Sequence, residues 1–167
     1  MALEAKSSSG SLKVEDWWKN LSALEYAGVV LTGLRTVAGV APFGSQLQAC
    51  IDLAQAIVNN VKDMQSFRAS EDDLTKRVAE TLRIIAEALQ KRNRYDSHQL
   101  KRDLRPLEII MEDITVFTSK QRMKNGIQRF VDAGEDVKKV QQFNSDLNDH
   151  LYLLHVRALH DSYKSSR

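Results

Sequence analysis

From Leu21 to Ala158 apolar residues return every three or four positions, a period that commits a chain to amphipathic helices. Only two prolines and seven glycines occur in 167 residues, too few for a sheet with many tight turns. A chain of this length buries roughly two-thirds of the surface its unfolded form exposes, so one core suffices without a disulfide. The expectation is an all-α fold, an antiparallel up-and-down helical bundle of four or five helices over residues 15 to 162. A Ser- and Gly-containing leader over 1 to 14 precedes it, and a short tail at 163 to 167 follows.

The first helix carries Leu21, Leu24, Gly28, Leu31, Leu34 and Ala38 and ends near Gly39, with Pro42 just beyond. A second begins about Ser45 and shows Leu47, Cys50, Ile51, Ala54, Ile57, Val58, Val61 and Met64 on one stripe. Ser70 with Asp73 resembles a capping box and opens a third, carrying Leu74, Val78, Leu82, Ile85 and Leu89. The fourth runs from about Ser97 through Leu100, Leu104, Leu107, Met111, Ile114 and Phe117, and Pro106 should kink it unless the helix starts there. After Asn125-Gly126 a last helix carries Ile127, Phe130, Val137, Val140, Leu147, Leu151, Leu154 and Ala158, with Gly134 and Asn144 interrupting the stripe. Short connections between such helices make neighbours antiparallel.

Catalysis has no visible address in this pattern. His150, His155 and His160 are five residues apart, so each turns about 140° from the last and they share no helix face for a metal. Cys50 sits on the apolar stripe of the second helix, where a thiol behaves as a small buried hydrophobe. Glu108 and Glu112 stand four apart, but no Glu-x-x-His pair completes a di-metal bundle site. No phosphate-binding glycine loop, nucleophile elbow or zincin motif is present. The reading is a non-enzyme with no cofactor and no metal. A net charge of +2 from 24 basic and 22 acidic residues carries no field suited to nucleic acid. One cysteine, and an N-terminus without a signal or transit pattern, place the chain in the cytoplasm.

Local charge is a different matter. Lys91, Arg92, Arg94, Lys101, Arg102 and Arg105 are offset only by Asp96 and Asp103, while Lys120, Arg122, Lys124 and Arg129 have no acid among them. Both clusters could simply be solvated helix ends. Up-and-down winding, however, brings the ends of the first, third and fifth helices to one pole. There the apolar corner around Val40 and Phe43 would adjoin the 91 to 105 cluster, an arrangement that anionic membranes attract at about 1 kcal/mol per nearby cation. The corner reads first as the turn that closes one end of the core and second as a lipid contact.

The stretch AGVVLTGLRTVAGVAPF, residues 27 to 43, holds one charge, Arg35. It extends about 25 Å against the roughly 30 Å of a bilayer's hydrocarbon, so it reads as a central helix surrounded by the others before it reads as an inserting one. Trp17 and Trp18, about 100° apart on a helix, cannot both face the core, and one of them could anchor a helical protein partner.

A family resemblance joins these features. RFVDAGEDVKKVQQFNSDLNDHLYLLHV, residues 129 to 156, and the preceding LKRDLRPLEIIMEDITVF resemble the closing helices of the N-terminal four-helix-bundle domains of mixed-lineage-kinase-domain-like pseudokinases and their fungal, HeLo-type counterparts. GVAPFGSQLQACIDLAQAIVNNVKDMQ resembles the loop and second helix of the fungal members. The similarity covers most of residues 20 to 160, through apolar spacing and markers such as Ala133, Glu135 and Asp136. It implies a cell-death signalling bundle that self-associates, binds anionic phospholipid head groups through basic residues and permeabilises membranes. Members are usually joined to a C-terminal kinase-like, nucleotide-binding or prion-like region, and lipid-inserting ones start closer to the first helix than this chain does.

The expected function is therefore a cytoplasmic bundle, recruited to the plasma membrane, with Lys91, Arg92, Arg94, Lys101, Arg102 and Arg105 on head groups. Val40, Phe43, Trp17 and Trp18 would supply apolar contacts to membrane or partner. The alternative is a protein-interaction adaptor without membrane activity.

Overall fold

The computed structural model describes residues 21–41, 43–64, 69–90 and 97–165. Among them six helices and no strand occur: α1 (Ala23–Val40), α2 (Gly44–Lys62), α3 (Ala69–Gln90), α4 (Ser97–Met123), α5 (Gly126–Val131) and α6 (Ala133–Ser165). The expected leader and the pair Trp17 and Trp18 lie outside the described residues, and α6 runs on into the segment read as a tail.

Side-chain pairings fix the directions of the helices. Cys50 feels the charge of Glu108 and Asn60 reaches Thr118, so α2 and α4 run parallel. Tyr26 lies under the Lys76 ammonium at 5.7 Å and Val37 shares a groove with Gln90, so α1 and α3 also run parallel. Phe117 packs edge-on against Phe143 and Lys124 meets Asp136, which makes α4 and α6 antiparallel. Arg35 pairs with Asp52 at 3.4 Å across α1 and α2. The result is the up-and-down bundle, with the ends of α1 and α3 and the starts of α2 and α4 at one pole.

One apolar cluster draws on α1, α2, α3, α4 and α6. Its centre is α2 against α4, where Leu47, Ile51 and Ile57 face Leu107, Met111 and Ile114, all without solvent exposure. Asn60 is buried in the same seam and donates to Thr118 Oγ1 at 3.1 Å and to the Thr115 carbonyl. A buried amide is tolerated only where it is satisfied, and this one fixes the register of the two helices.

Several local expectations are corrected. The helix apolar nearly all round, α1, is not surrounded: among the described residues its main packing is on α2 and α3, and it buries only Tyr26, Ala27, Leu31 and Leu34. Thr32 and Thr36 donate their hydroxyls to the carbonyls of Gly28 and Thr32, so the outer face shows methyls and glycines, uncharged without being a core face. By length and composition α1 could cross a membrane, and 22% of it is buried. The capping box belongs to Ser22 and Glu25 at the start of α1. Ser70 is already helical, and its hydroxyl donates to Glu71. α4 passes through Pro106 unbroken; Pro106 and Arg102 are both exposed, so the carbonyl that lacks its usual donor stands on the wet side.

The corner between α1 and α2 is tight. A Cβ on Gly44 would run into the carbonyl group of Ala38, whereas one on Gly33 would meet open space. Gly44→Ala is expected to lower stability by about 1–3 kcal/mol and Gly33→Ala to raise it by about 0.5–1 kcal/mol, read from urea midpoints of the two variants.

Candidate functional site

The first half of α4 turns Leu100, Leu104 and Leu107 inward, and the same period turns His98, Lys101, Arg102 and Arg105 outward. These four residues and Glu108 line an open groove of about 660 Å³. Among the described lining residues three guanidinium or ammonium groups thus meet one carboxylate. Arg105 is the neutralised member, its Nη1 lying 2.9 Å from Glu108 and 3.7 Å from Glu112. Arg102 donates instead to the neutral Gln99 amide oxygen at 2.8 Å, and Gln99 donates onward to Asp103 at 2.9 Å. Among the described residues Arg102 has no direct ion pair, so it is oriented with its charge intact. Lys101 stands exposed beside it. An array of oriented N–H donors with net positive charge, open to solvent, is suited to phosphate or carboxylate oxygens.

The structure therefore brings Lys101, Arg102 and Arg105 together and adds His98 and Glu108. Lys91, Arg92 and Arg94 lie outside the described residues. Val40, 85% exposed, ends α1 at the pole where α4 starts. Phe43 is 2% exposed and belongs to the core, so as folded it offers no surface to lipid or partner. The turn reading of the corner is the one that describes it.

The second basic cluster is not bare. Its acids come from elsewhere in the chain: Arg122 meets Asp63 at 3.6 Å, and Lys124 lies 2.9 Å from Asp132 and 3.3 Å from Asp136. Burial works against the Lys124 charge, but hydrogen bonds to the two aspartates outweigh it and hold the ammonium above the ordinary lysine range. Arg129 is buried and donates to the carbonyl of Gln121 near the end of α4. Asn125 caps α5 by accepting from the Gln128 amide.

This polar interior pushes apolar residues out. Met123, Ile127, Phe130 and Val131 are each at least 74% exposed, although Ile127 and Phe130 read as core from their spacing. The break at Asp132 separates α5 from α6 and removes both from the stripe, and Phe143 takes the core place instead, against Phe117. Spacing alone cannot distinguish these outcomes, because 127 and 130 keep helical period with 137; only the acids at 132 and 136 hint that Lys124 and Arg129 are held inward.

The remaining sites are quiet. Burial pushes the Cys50 thiol up to about 12, with the negative charge of Glu108 adding to it. Among the described residues no group of three His, Cys, Asp or Glu side chains could hold a metal ion. A smaller groove of about 250 Å³ runs between α1 and α3 over Val29, Gly33, Val37 and Ala86, with Arg83 and Glu87 paired at 2.8 Å on its rim.

A family model described as the mixed lineage kinase domain-like N-terminal domain matches residues 47–159. Searches of curated proteins and of solved structures return no match.

Two outcomes test this geometry. Lys124→Met should remove the cation that Asp132 and Asp136 share and cost about 1–2 kcal/mol in urea denaturation, while Phe130→Ser stays within about 0.5 kcal/mol of the parent. Cys50 should resist thiol reagents at pH 8 until the bundle unfolds. Because its folded pKa lies above the unfolded value of about 9, the stability it contributes is complete below pH 9 and is lost as pH rises toward 12.

Proposed function

The chain belongs to the family of mixed lineage kinase domain-like N-terminal domains, and on that premise we propose that it is a cell-death signalling bundle that self-associates and engages anionic phospholipid. The family is the helical, non-kinase part of its namesakes, which fits a non-catalytic role. The observation that carries the lipid reading is the groove on α4, where Lys101, Arg102 and Arg105 face solvent and, among the described lining residues, meet one carboxylate, Glu108. A head-group phosphate supplies what that groove lacks. It accepts several N–H donors at once and carries the opposing charge. Val40 at the same pole could enter the head-group layer, and the cytoplasm with recruitment to the plasma membrane is the setting this implies.

The adaptor reading draws on the exposed tip formed by Met123, Ile127, Phe130 and Val131, since a patch of this kind on a soluble domain marks a contact surface. Under that reading the tip would carry binding to a helical protein partner and the α4 groove would be incidental.

Vesicle co-sedimentation separates the two. With phosphatidylserine or phosphoinositide vesicles, Lys101→Glu/Arg102→Glu should reduce the bound fraction by at least about tenfold, consistent with about 1 kcal/mol for each cation lost and further repulsion from each acid gained. Arg105 is left in place because removing it would set Glu108 against Glu112. The parent's binding should fall when salt is raised from 0.1 M to 0.5 M. Equal recovery of parent and variant would remove the lipid reading, and capture of a partner lost on Phe130→Asp would favour the adaptor.

A further inference from the structure

The outer face of α4 beyond the groove carries a second pattern. Ile109, Val116 and Met123 are 46%, 54% and 76% exposed and are spaced seven residues apart, so they form one narrow apolar ridge with only about 20° of drift per step. Charge along the ridge is divided. Glu112 and Asp113, both exposed, precede Val116, and exposed Lys120 follows it.

From this division we infer that the ridge is a self-complementary docking surface for a second copy of this chain, with two α4 helices antiparallel about a two-fold axis at Val116. In that arrangement Val116 meets Val116 of the other copy and Ile109 meets Met123. Glu112 meets Lys120, because each lies four residues from the axis and therefore at the same height, about 6 Å away. Parallel pairing would set acid against acid and Lys120 against Lys120, so the charge pattern selects the antiparallel register. An isologous interface of this kind closes on itself and yields a dimer. A contact made by one helix from each copy falls short of the roughly 800 Å² per partner that a stable interface buries. Pairing is accordingly concentration-dependent, and adsorption to a surface would promote it. The α4 groove is lined by His98, Lys101, Arg102, Arg105 and Glu108, which precede the ridge, so head-group binding and pairing use adjoining segments of one helix that meet at Glu112, 3.7 Å from Arg105.

The inference rests on the self-association reading, and disulfide trapping in the full chain separates the two. Cys50 is buried and serves as the background thiol. Under mild oxidation Val116→Cys should form a covalent dimer with itself. Ile109→Cys alone and Met123→Cys alone should not, because each residue lies about 21 Å from its own copy, and a mixture of the two should. In sedimentation equilibrium Glu112→Lys and Lys120→Glu should each weaken dimerisation by about tenfold, since each substitution occurs twice across the axis, and Glu112→Lys/Lys120→Glu should restore it. Circular dichroism confirms that each variant folds. Association that persists with no trapping at Val116 and no response to the charge reversals would overturn this interface and leave self-association standing. A chain that stays monomeric both in solution and on phosphatidylserine vesicles would overturn both. Blue-shifted emission from a polarity-sensitive label at Val116→Cys on vesicles, without trapping, would assign the ridge to lipid and overturn the dimer.

Discussion

Everything else in this bundle is arranged around the parallel packing of α2 against α4. Ile51, Ile57, Leu107 and Met111 lose all exposure there, and the Asn60 amide pins the register by finding its partners on Thr115 and Thr118. Fully burying such aliphatic side chains stabilises by about 1.5–3 kcal/mol each relative to exposure, while a slip of the seam would strand a buried amide. With α2 in the centre, α1 and α6 become flanking layers. α4 is left with one face in the core and the opposite face in water.

That division of α4 explains why its outward residues matter. A helix committed to the core on one side is a rigid support for whatever it displays on the other, and α4 displays cations over its first half and an apolar ridge over its second. At its end, the polar lock of Lys124 with Asp132 and Asp136 and of Arg129 with the Gln121 carbonyl turns the usual polarity of a helix end inside out. Charged groups are held inside and large apolar groups outside. Membership in a family of cell-death helical domains fits a surface organised for contact.

Much of the fold was legible because helical period is a local property. The stripes through Leu47 to Val61 and through Leu74 to Leu89 appear in the structure as buried faces, and the winding that shares one pole between α1, α2, α3 and α4 follows from short connections. What was not legible depended on which of several nearby partners each side chain takes once the helices pack. Overall apolarity made α1 look central, yet Thr32 and Thr36 satisfy their own hydroxyls and let that face stay at the surface. Phe130 and Arg129 exchanged their expected places because Gln121 offers a carbonyl to the arginine. Of the candidate site, the triplet Lys101, Arg102 and Arg105 was readable from spacing, whereas the neutralisation of Arg105 by Glu108 and Glu112 and the orientation of Arg102 by Gln99 are rotamer choices that spacing leaves open.

The keystone role of α2 and α4 is open to direct measurement by native-state hydrogen exchange in increasing urea. Amides of α2 and of α4 around Met111 should exchange only through global unfolding, with α1 opening first at a distinctly lower free energy. If α1 were protected to the same extent as α2, or if α4 opened before it, the central pairing described for this bundle would be wrong.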